Sequence, residues 1–203
     1  GAFHCLNSGH PVHIYVYITF LFYFIGGTGF LGKVLIEKLL RSCSDITTIY
    51  LLIRSKKDKC PESRLDEIFQ KPLYDQLKRE VPDFRKKIVP INGDLKSEDF
   101  GLSKSDKKIL INEVSIIFHI AADIRFDQNI KISTQINING AITILKFAKH
   151  MPNLKSFIHV STMYANYHVD HIEERFYSYR INYKELIMFT RNLSENELEK
   201  KIS

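Results

Sequence analysis

Short apolar runs alternate along the chain with segments whose apolar residues recur every three or four positions. The apolar runs predict five strands, over the last six to eight residues of 12–25 and over 47–53, 87–92, 114–121 and 155–161. The segments between them predict helices over 30–41, 61–80 (two short polar helices around Pro72), 106–112 and 133–150. Continuously apolar strands that alternate with helices indicate a parallel sheet covered on both faces. The pattern therefore predicts an α/β fold, a Rossmann-type doubly wound parallel sheet.

The first apolar run is long and carries no charge. No Asp, Glu, Lys or Arg precedes Lys33, and only His13 and Thr19 interrupt residues 12–25. The basic start and small-residue cleavage site of a signal peptide are missing, and glycines follow before the roughly 20 apolar residues of a spanning helix are reached. The aromatic and β-branched content favours a strand. We assign residues 18–203 to one domain. Residues 1–17 form an apolar segment without an assigned role, and a membrane anchor is the alternative for this segment.

Composition narrows the class of protein further. With 203 residues, of which 44% are hydrophobic and 26% charged, the chain can bury a core, which excludes global disorder. Its three cysteines form no CxxC pair, which argues against a disulfide-stapled domain and a zinc site. The net charge of +6 suits a protein that holds a polyanionic cofactor, or simply a basic surface. The basic clusters lack interleaved aromatic residues, so we expect no nucleic acid as a partner.

A glycine-rich loop follows the first predicted strand and opens the first predicted helix. Residues 26–32 read GGTGFLG, with glycines in a GxxGxxG spacing. Glycine in such a loop allows a tight turn, a close approach of the backbone to a pyrophosphate, and close packing of helix on strand, while the helix N-terminus faces the phosphates. The loop therefore predicts a dinucleotide site, and the alternative is a glycine-rich turn without a ligand.

Charged residues follow the second and third strands. An acid after the second strand would bind the ribose hydroxyl of NAD, whereas an arginine suits the 2′-phosphate of NADP. Arg54 lies at that position and no acid follows before Asp58, so we expect NADPH; a solvated run of charges is the alternative. Asp94 follows the third strand, where its carboxylate is expected to accept a hydrogen bond from the adenine amino group.

Small and hydroxyl-bearing residues end the fourth and fifth strands. Ala121 and Ala122 would let a cofactor lie close to the backbone. Ser161 and Thr162 would face the crevice and hydrogen-bond a carbonyl oxygen as negative charge develops on it, although Ser and Thr also commonly finish strands. We interpret His119 as a satisfied core histidine rather than a catalyst. The other histidines lack partners at a metal-ligand spacing, so we expect no metal.

Seven runs of sequence between about residues 24 and 190 carry a family resemblance. They read GGTGFLGKVLIEKLLR (26–41), IYLLIR (49–54), RLDEIFQKPLYDQLK (64–78), VPINGDL (89–95), IIFHIAADIRFD (116–127), INING (136–140) and FIHVSTMYAN (157–166). The RFD run, the VSTMYAN run and the helical insertion after the second strand are the most specific. The chain resembles the N-terminal part of the fatty acyl-CoA reductase family, an extended branch of the short-chain dehydrogenase/reductases with a male sterility-type NAD(P)-binding domain.

The resemblance implies an oxidoreductase that reduces long-chain acyl-CoA to fatty alcohol with two equivalents of NADPH. It implies a pyrophosphate held by Gly26, Thr28, Gly29, Phe30, Leu31 and Gly32. It implies further cofactor contacts from Arg54 at the 2′-phosphate, Asp94 and Leu95 at adenine, and Ala121 and Ala122 along the ribose and nicotinamide. Ser161 and Thr162 would lie at the reacting carbonyl, with Thr162 the stronger candidate, and Asn137 matches a structural asparagine. It also points to endoplasmic reticulum or peroxisomal membranes and gives no oligomeric state.

The chain departs from this family at two places. Ile25 stands where the family usually has threonine before the glycine loop. The family's Tyr-x-x-x-Lys pair, which supplies a proton, has no counterpart after the fifth strand; the one occurrence, Tyr74 to Lys78, reads as a surface helix pair. We therefore expect a fragment, truncated at the carboxyl-terminal end of its sheet and inactive by itself. The alternative is a dinucleotide-binding or scaffold product without catalysis.

Overall fold

Five parallel strands form one sheet in the order β3-β2-β1-β4-β5. The computed structural model describes residues 20–56, 59–178, 182–194 and 197. The strands are β1 (Phe20–Ile25), β2 (Ile46–Ile53), β3 (Ile88–Asn92), β4 (Ile116–His119) and β5 (Ser156–His159). This order places the first strand at the centre, with the chain crossing over to either side of it, so the predicted Rossmann-type sheet is confirmed. Residues 1–17 lie outside the described residues.

The described residues also form seven α-helices, together with shorter helical segments; six of these helices connect the strands and α7 follows β5. They are α1 (Phe30–Ser42), α2 (Pro61–Phe69), α3 (Asp75–Glu80), α4 (Lys104–Glu113), α5 (Ile130–Ser133), α6 (Gly140–Ala148) and α7 (Tyr183–Asn192). Short 3₁₀ segments lie at Pro72–Tyr74, Phe84–Lys87, Glu98–Gly101 and Met163–Asn166. The predicted helices are therefore present, with ends that shift by a few residues.

The alternation of side chains along the central strands divides the core into two layers. On β1, Phe22 and Phe24 face the layer covered by α1, α2 and α3, whereas Tyr23 and Ile25 face the layer covered by α4 and α6. Both layers are lined by fully buried apolar side chains, which is why the strands read as continuous apolar runs rather than as an alternating pattern. Because all five strands are parallel, their carboxyl ends lie at one edge of the sheet.

The predicted helix over 133–150 differs most from the observed structure. It begins earlier, because the Asn129 side chain accepts a hydrogen bond from the Lys131 N–H and caps α5. A π-helical segment, Thr134–Asn139, separates α5 from α6. Such segments carry an extra residue per turn and shift the side chains that follow, which an apolar repeat in the sequence does not reveal.

Candidate dinucleotide-binding site

The glycine loop at the carboxyl end of β1 packs directly on the loop that follows β4. Gly26 has a φ of +92°, a conformation that other residues adopt only with strain. A β-carbon at Gly26 would stand 2.6 Å from the backbone nitrogen of Ala121. A β-carbon at Gly32 would stand 2.5 Å from the carbonyl oxygen of Gly26. Glycine is therefore required here both to turn the chain and to bring α1 onto the end of β1.

The N-terminus of α1 offers free hydrogen-bond donors above this loop. Gly29 is the N-cap residue, and no side chain caps the helix. The first turn contains no acidic residue. Uncapped N–H groups and the positive end of the helix dipole together favour an anion, so the site fits a diphosphate held by backbone groups. The remaining loop residues, Thr28, Phe30 and Leu31, lie beside it, with Phe30 and Leu31 exposed.

Arg54 and Asp94 come together at the ends of β2 and β3. The Arg54 Nη1 atom lies 3.9 Å from Asp94 Oδ2, and both side chains are partly exposed. Asp94 Oδ1 accepts a hydrogen bond of 3.0 Å from the Lys96 N–H. The sequence treats these two residues separately, as contacts for a phosphate and for adenine. In the structure the carboxylate also lies next to the guanidinium at the edge of the site.

A second arginine, Arg64, lies beside Arg54. Its guanidinium donates a hydrogen bond to the Arg54 carbonyl oxygen. Sequence reasoning missed this residue, although Pro61 at the first position of α2 signals a helix start that would bring Arg64 back toward β2. Ser55 also lies here, and its hydroxyl donates to Asn92 Oδ1 over 3.2 Å. The ends of β2 and β3 thus gather two guanidiniums and a hydroxyl, which suit a phosphate monoester.

Leu95 connects this end of the site to the helix that follows β4. Its side chain is half-buried against the layer of core between the sheet and α6. A β-carbon at Gly140, the first residue of α6, would lie 3.2 Å from Leu95 Cδ2. The small residue at the start of α6 therefore leaves room for Leu95 beside the predicted adenine position.

The loop that carries Ala121 and Ala122 is held by Asn137. The Asp123 N–H donates to Asn137 Oδ1 over 2.8 Å, and Asn137 Nδ2 donates to the Asp123 carbonyl oxygen over 2.9 Å. The Asp123 carboxylate is in turn bonded by Arg125 and Gln128. The hydrogen bond from Arg125 lowers the pKa of Asp123 below its ordinary value. These bonds fix the path of the chain beside Gly26.

Ser161 and Thr162 both lie exposed just after β5. Thr162 Oγ1 accepts a hydrogen bond of 3.3 Å from the Tyr164 N–H, and among the described residues the Thr162 hydroxyl proton has no acceptor. Next to them, Phe126 and Tyr164 meet edge to face with ring centroids 5.9 Å apart. Both rings are largely exposed, so they present an apolar wall beside the hydroxyls.

His119 is a core histidine, as the sequence suggests, but only one of its nitrogens is satisfied. Its Nδ1 lies 2.7 Å from Nδ1 of His159, and the two rings stack. Its Nε2 has no hydrogen-bond partner among the residues that the structure describes. Burial, and next the neighbouring His159, lower the pKa of His119 from 6.5 to about 4. It is therefore neutral at physiological pH.

The interpretation of Tyr74 and Lys78 as a surface helix pair is wrong for the tyrosine. Tyr74 is fully buried between Phe69 and Phe84, and its hydroxyl donates to the Lys33 carbonyl oxygen over 3.2 Å. Burial raises the pKa of this phenol well above its ordinary range. Lys78 instead bonds Asp75 on the surface. Tyr74 acts as a core residue, because a phenol buried under α1 cannot reach a substrate.

A family profile described as male sterility protein, an NAD-binding domain, matches residues 25–201. The chain belongs to the male sterility protein family. This membership explains the glycine loop and makes a nicotinamide dinucleotide the class of cofactor that the site is built for. Within the described part of the chain, no group of three His, Cys, Asp or Glu side chains could hold a metal ion. No described helix is long and apolar enough to cross a membrane.

Similar proteins support this membership. The chain is 44% identical to fatty acyl-CoA reductase 1 of Mus musculus over 162 residues, which cover 80% of this chain and 32% of that protein. It is 39% identical to the fatty acyl-CoA reductase wat of Drosophila melanogaster over 85% of this chain and 33% of that protein. The chain thus spans about a third of the length of the curated relatives it matches. The resemblance noted in the sequence is confirmed.

Solved reductase domains share the fold. The terminal R domain of the myxalamid biosynthetic pathway matches with a TM-score of 0.58 and 29% identity, over 71% of this chain and 35% of that one. The reductase domain of a non-ribosomal peptide synthetase from Mycobacterium tuberculosis matches with a TM-score of 0.57 and 26% identity, over 72% of this chain and 34% of that one. The strands and helices around the glycine loop therefore form a reductase-type nucleotide fold.

Proposed function

We propose that the chain is the NADPH-binding part of a reductase that converts long-chain fatty acyl-CoA to fatty alcohol. The observation that carries the proposal is the packing of Gly26 on Ala121 below the uncapped N-terminus of α1, whose backbone donors favour an anion such as a phosphate. The names of the relatives supply the class of substrate. The same relationship is the ground for proposing an association with endoplasmic reticulum or peroxisomal membranes.

Specificity for NADPH rests on the charges at the end of β2. Arg54 and Arg64 would hold the 2′-phosphate, since guanidinium groups match phosphate oxygens in pairs. Asp94 would orient Arg54 through their ion pair and accept from the adenine amino group with the same carboxylate. The absence of a carboxylate directly after β2 removes the usual partner of the NAD ribose.

The hydroxyls after β5 would act on the substrate carbonyl. The bound cofactor supplies the hydride, while the chain orients both reactants. The Thr162 hydroxyl, which already accepts from the Tyr164 N–H, has its proton free to donate to a carbonyl oxygen as that oxygen gains negative charge. Ser161 is exposed next to it as a second donor. Phe126 and Tyr164 would receive the apolar chain beside the carbonyl.

Binding of the dinucleotide without turnover is the second candidate for these 203 residues by themselves. The only Tyr-x-x-x-Lys sequence they contain places its tyrosine, Tyr74, in the core with its proton bonded to the Lys33 carbonyl. The group that would protonate the product oxygen is therefore missing from this stretch of sequence. We propose that the chain binds NADPH but forms no fatty alcohol.

Calorimetric titration of the chain with NADPH and NADH tests the proposal. We expect saturable binding of NADPH at least ten times tighter than binding of NADH, and no oxidation of NADPH when a long-chain acyl-CoA is added. No binding at millimolar NADPH would overturn the proposal and favour a scaffold role. Fatty alcohol formed by the 203 residues would overturn the claim that they lack a proton donor.

A further inference from the structure

A cavity lies away from the glycine loop, on the face of the sheet covered by α4 and α6. Its volume is about 1000 Å³, and its walls come from the loop after β3, from α4, from the stretch α5 to α6, and from the end of α7. Leu95 is the only predicted cofactor residue that lines it. The glycine loop, Arg54, Ala121 and Thr162 are not among its lining residues. The cavity therefore opens outside the dinucleotide crevice and meets it only near the adenine end.

The charge of this cavity is strongly positive. Its basic side chains are Lys96, Lys107, Lys131, Lys146 and Arg191. Its acidic side chains are Glu98 and Asp99, and Asp99 is already paired with Lys107 at 2.7 Å. Within the described ranges, Lys96, Lys131, Lys146 and Arg191 have no carboxylate within 4 Å. Four cations that have no carboxylate partner among the described residues line one concavity, where they raise the local potential and attract an anion.

The walls also provide apolar surface beside these charges. Ile111, Ile142 and Phe147 line the cavity from α4 and α6. The π-helical segment Thr134–Asn139 forms one side, and α7 packs against it, so that Arg191 is brought over the same space as Lys131. Since π-helical turns often occur at functional sites, the irregularity itself is consistent with a ligand.

We propose that this cavity binds a phosphorylated nucleotide. The phosphates would contact Lys131, Lys146 and Arg191, and the base would lie on the apolar surface of Phe147 and Ile142. The volume is in the range of pockets that bind small molecules. A nucleotide with two phosphate groups offers more oxygens to these lining cations than a nucleotide with one. The proposal does not depend on the proposed function.

The test uses the 203-residue chain saturated with NADPH, so that the crevice is filled. It is titrated with adenosine 3′,5′-bisphosphate, with coenzyme A and with inorganic diphosphate. We expect one molecule of either nucleotide to bind without displacing NADPH, and diphosphate to bind more weakly. A similar affinity for both nucleotides supports recognition of the bisphosphate alone, and a tighter binding of coenzyme A supports added contacts along its arm.

A matched pair of variants distinguishes the cavity from general surface charge. Lys146→Glu reverses a lining charge, and Lys149→Glu reverses an exposed charge three residues later that does not line the cavity. We expect the first variant to weaken nucleotide binding about tenfold or more and the second to leave it within about twofold. Because both side chains are exposed, both variants should fold, which circular dichroism checks.

Three results would overturn the proposal. They are nucleotide binding that NADPH abolishes, equal losses in the two variants, and binding only to anionic phospholipid vesicles. If NADPH itself fails to bind, the proposed function fails. The same titrations on the chain without NADPH then still show whether the cavity binds a nucleotide. Loss of nucleotide binding in Lys146→Glu alone would then support it.

Discussion

Gly26 and Ala121 approach so closely that a β-carbon on Gly26 would stand 2.6 Å from the backbone nitrogen of Ala121. This contact joins the loop after β1 to the loop after β4, the two segments over which a dinucleotide would lie. The φ of +92° at Gly26 is a second reason for glycine at this position, because other residues adopt it only with strain.

Gly26→Ala is expected to abolish dinucleotide binding and to lower the free energy of unfolding by about 2 kcal/mol or more, from the strained φ and the backbone contact together. Gly101→Ala is the matched control, since Gly101 also has a positive φ of +63° but its β-carbon would meet only Ser97 at an ordinary 3.4 Å. The control should lose about 1 kcal/mol and keep NADPH binding. Urea unfolding and calorimetry measure both, and equal effects in the two variants would contradict the account.

Arg54→Gln is expected to weaken NADPH binding by about tenfold or more and to leave NADH binding unchanged, because a charge-assisted bond to the 2′-phosphate is lost. Arg64→Gln should also weaken NADPH binding, but by less, because the Arg64 guanidinium already donates a hydrogen bond to the Arg54 carbonyl oxygen. Arg79→Gln, which changes an exposed arginine on α3, serves as the control. An equal loss of affinity for NADPH and NADH would show that Arg54 does not bind the 2′-phosphate.

Asn137→Ala is expected to loosen the loop after β4. Both hydrogen bonds between Asn137 and the Asp123 backbone would be lost, at a cost of about 1 kcal/mol for partly exposed groups. Amide exchange at Asp123 should accelerate, and NADPH affinity should fall severalfold, because the same loop carries Ala121. Asn112→Ala, which removes an exposed bond to the Lys108 carbonyl, should change neither. Unchanged exchange at Asp123 would contradict the role of Asn137.

His119 predicts a specific dependence of stability on pH. Its pKa is about 4 in the folded chain against 6.5 as its ordinary value, so the unfolded chain binds more protons between these values. The free energy of unfolding should therefore decrease as the pH falls through this window, by about 2 kcal/mol between pH 7.5 and pH 5. In His119→Leu this decrease of the free energy of unfolding should disappear. In His150→Gln, which changes an exposed histidine, the decrease should remain. Urea unfolding at the two pH values measures the difference, and parallel slopes in wild type and His119→Leu would refute the assignment.

The sequence predicts the sheet well because its two central strands, β1 and β2, are largely buried on both faces. Runs such as residues 47–53 must be continuously apolar to lie between two helical layers, and this is visible without a structure. The glycine loop is visible for a similar reason, since its spacing reflects local backbone geometry. The π-helical segment and the left-handed Asp99 and Phe100 are not visible, because contacts distant in the chain stabilise them.

The sequence nominates the residues of the candidate site one at a time, but it does not give their pairings. The sequence places Arg54, Asp94 and Thr162 at strand ends, whereas the ion pair of Arg54 with Asp94 depends on how far the two strands extend. Likewise, Tyr74 and Lys78 form a motif at the level of spacing, but the burial of Tyr74 depends on α1 packing over it. Such relationships come from tertiary packing, which spacing along one chain does not encode.

A crystal structure of the chain with NADPH tests the central claim most directly. We expect the diphosphate at the N-terminus of α1, the 2′-phosphate within hydrogen-bond distance of Arg54, and the nicotinamide beside Ala121 with its reactive face toward Thr162. A dinucleotide bound elsewhere on the chain, or crystals grown at saturating NADPH that contain none, would contradict the account.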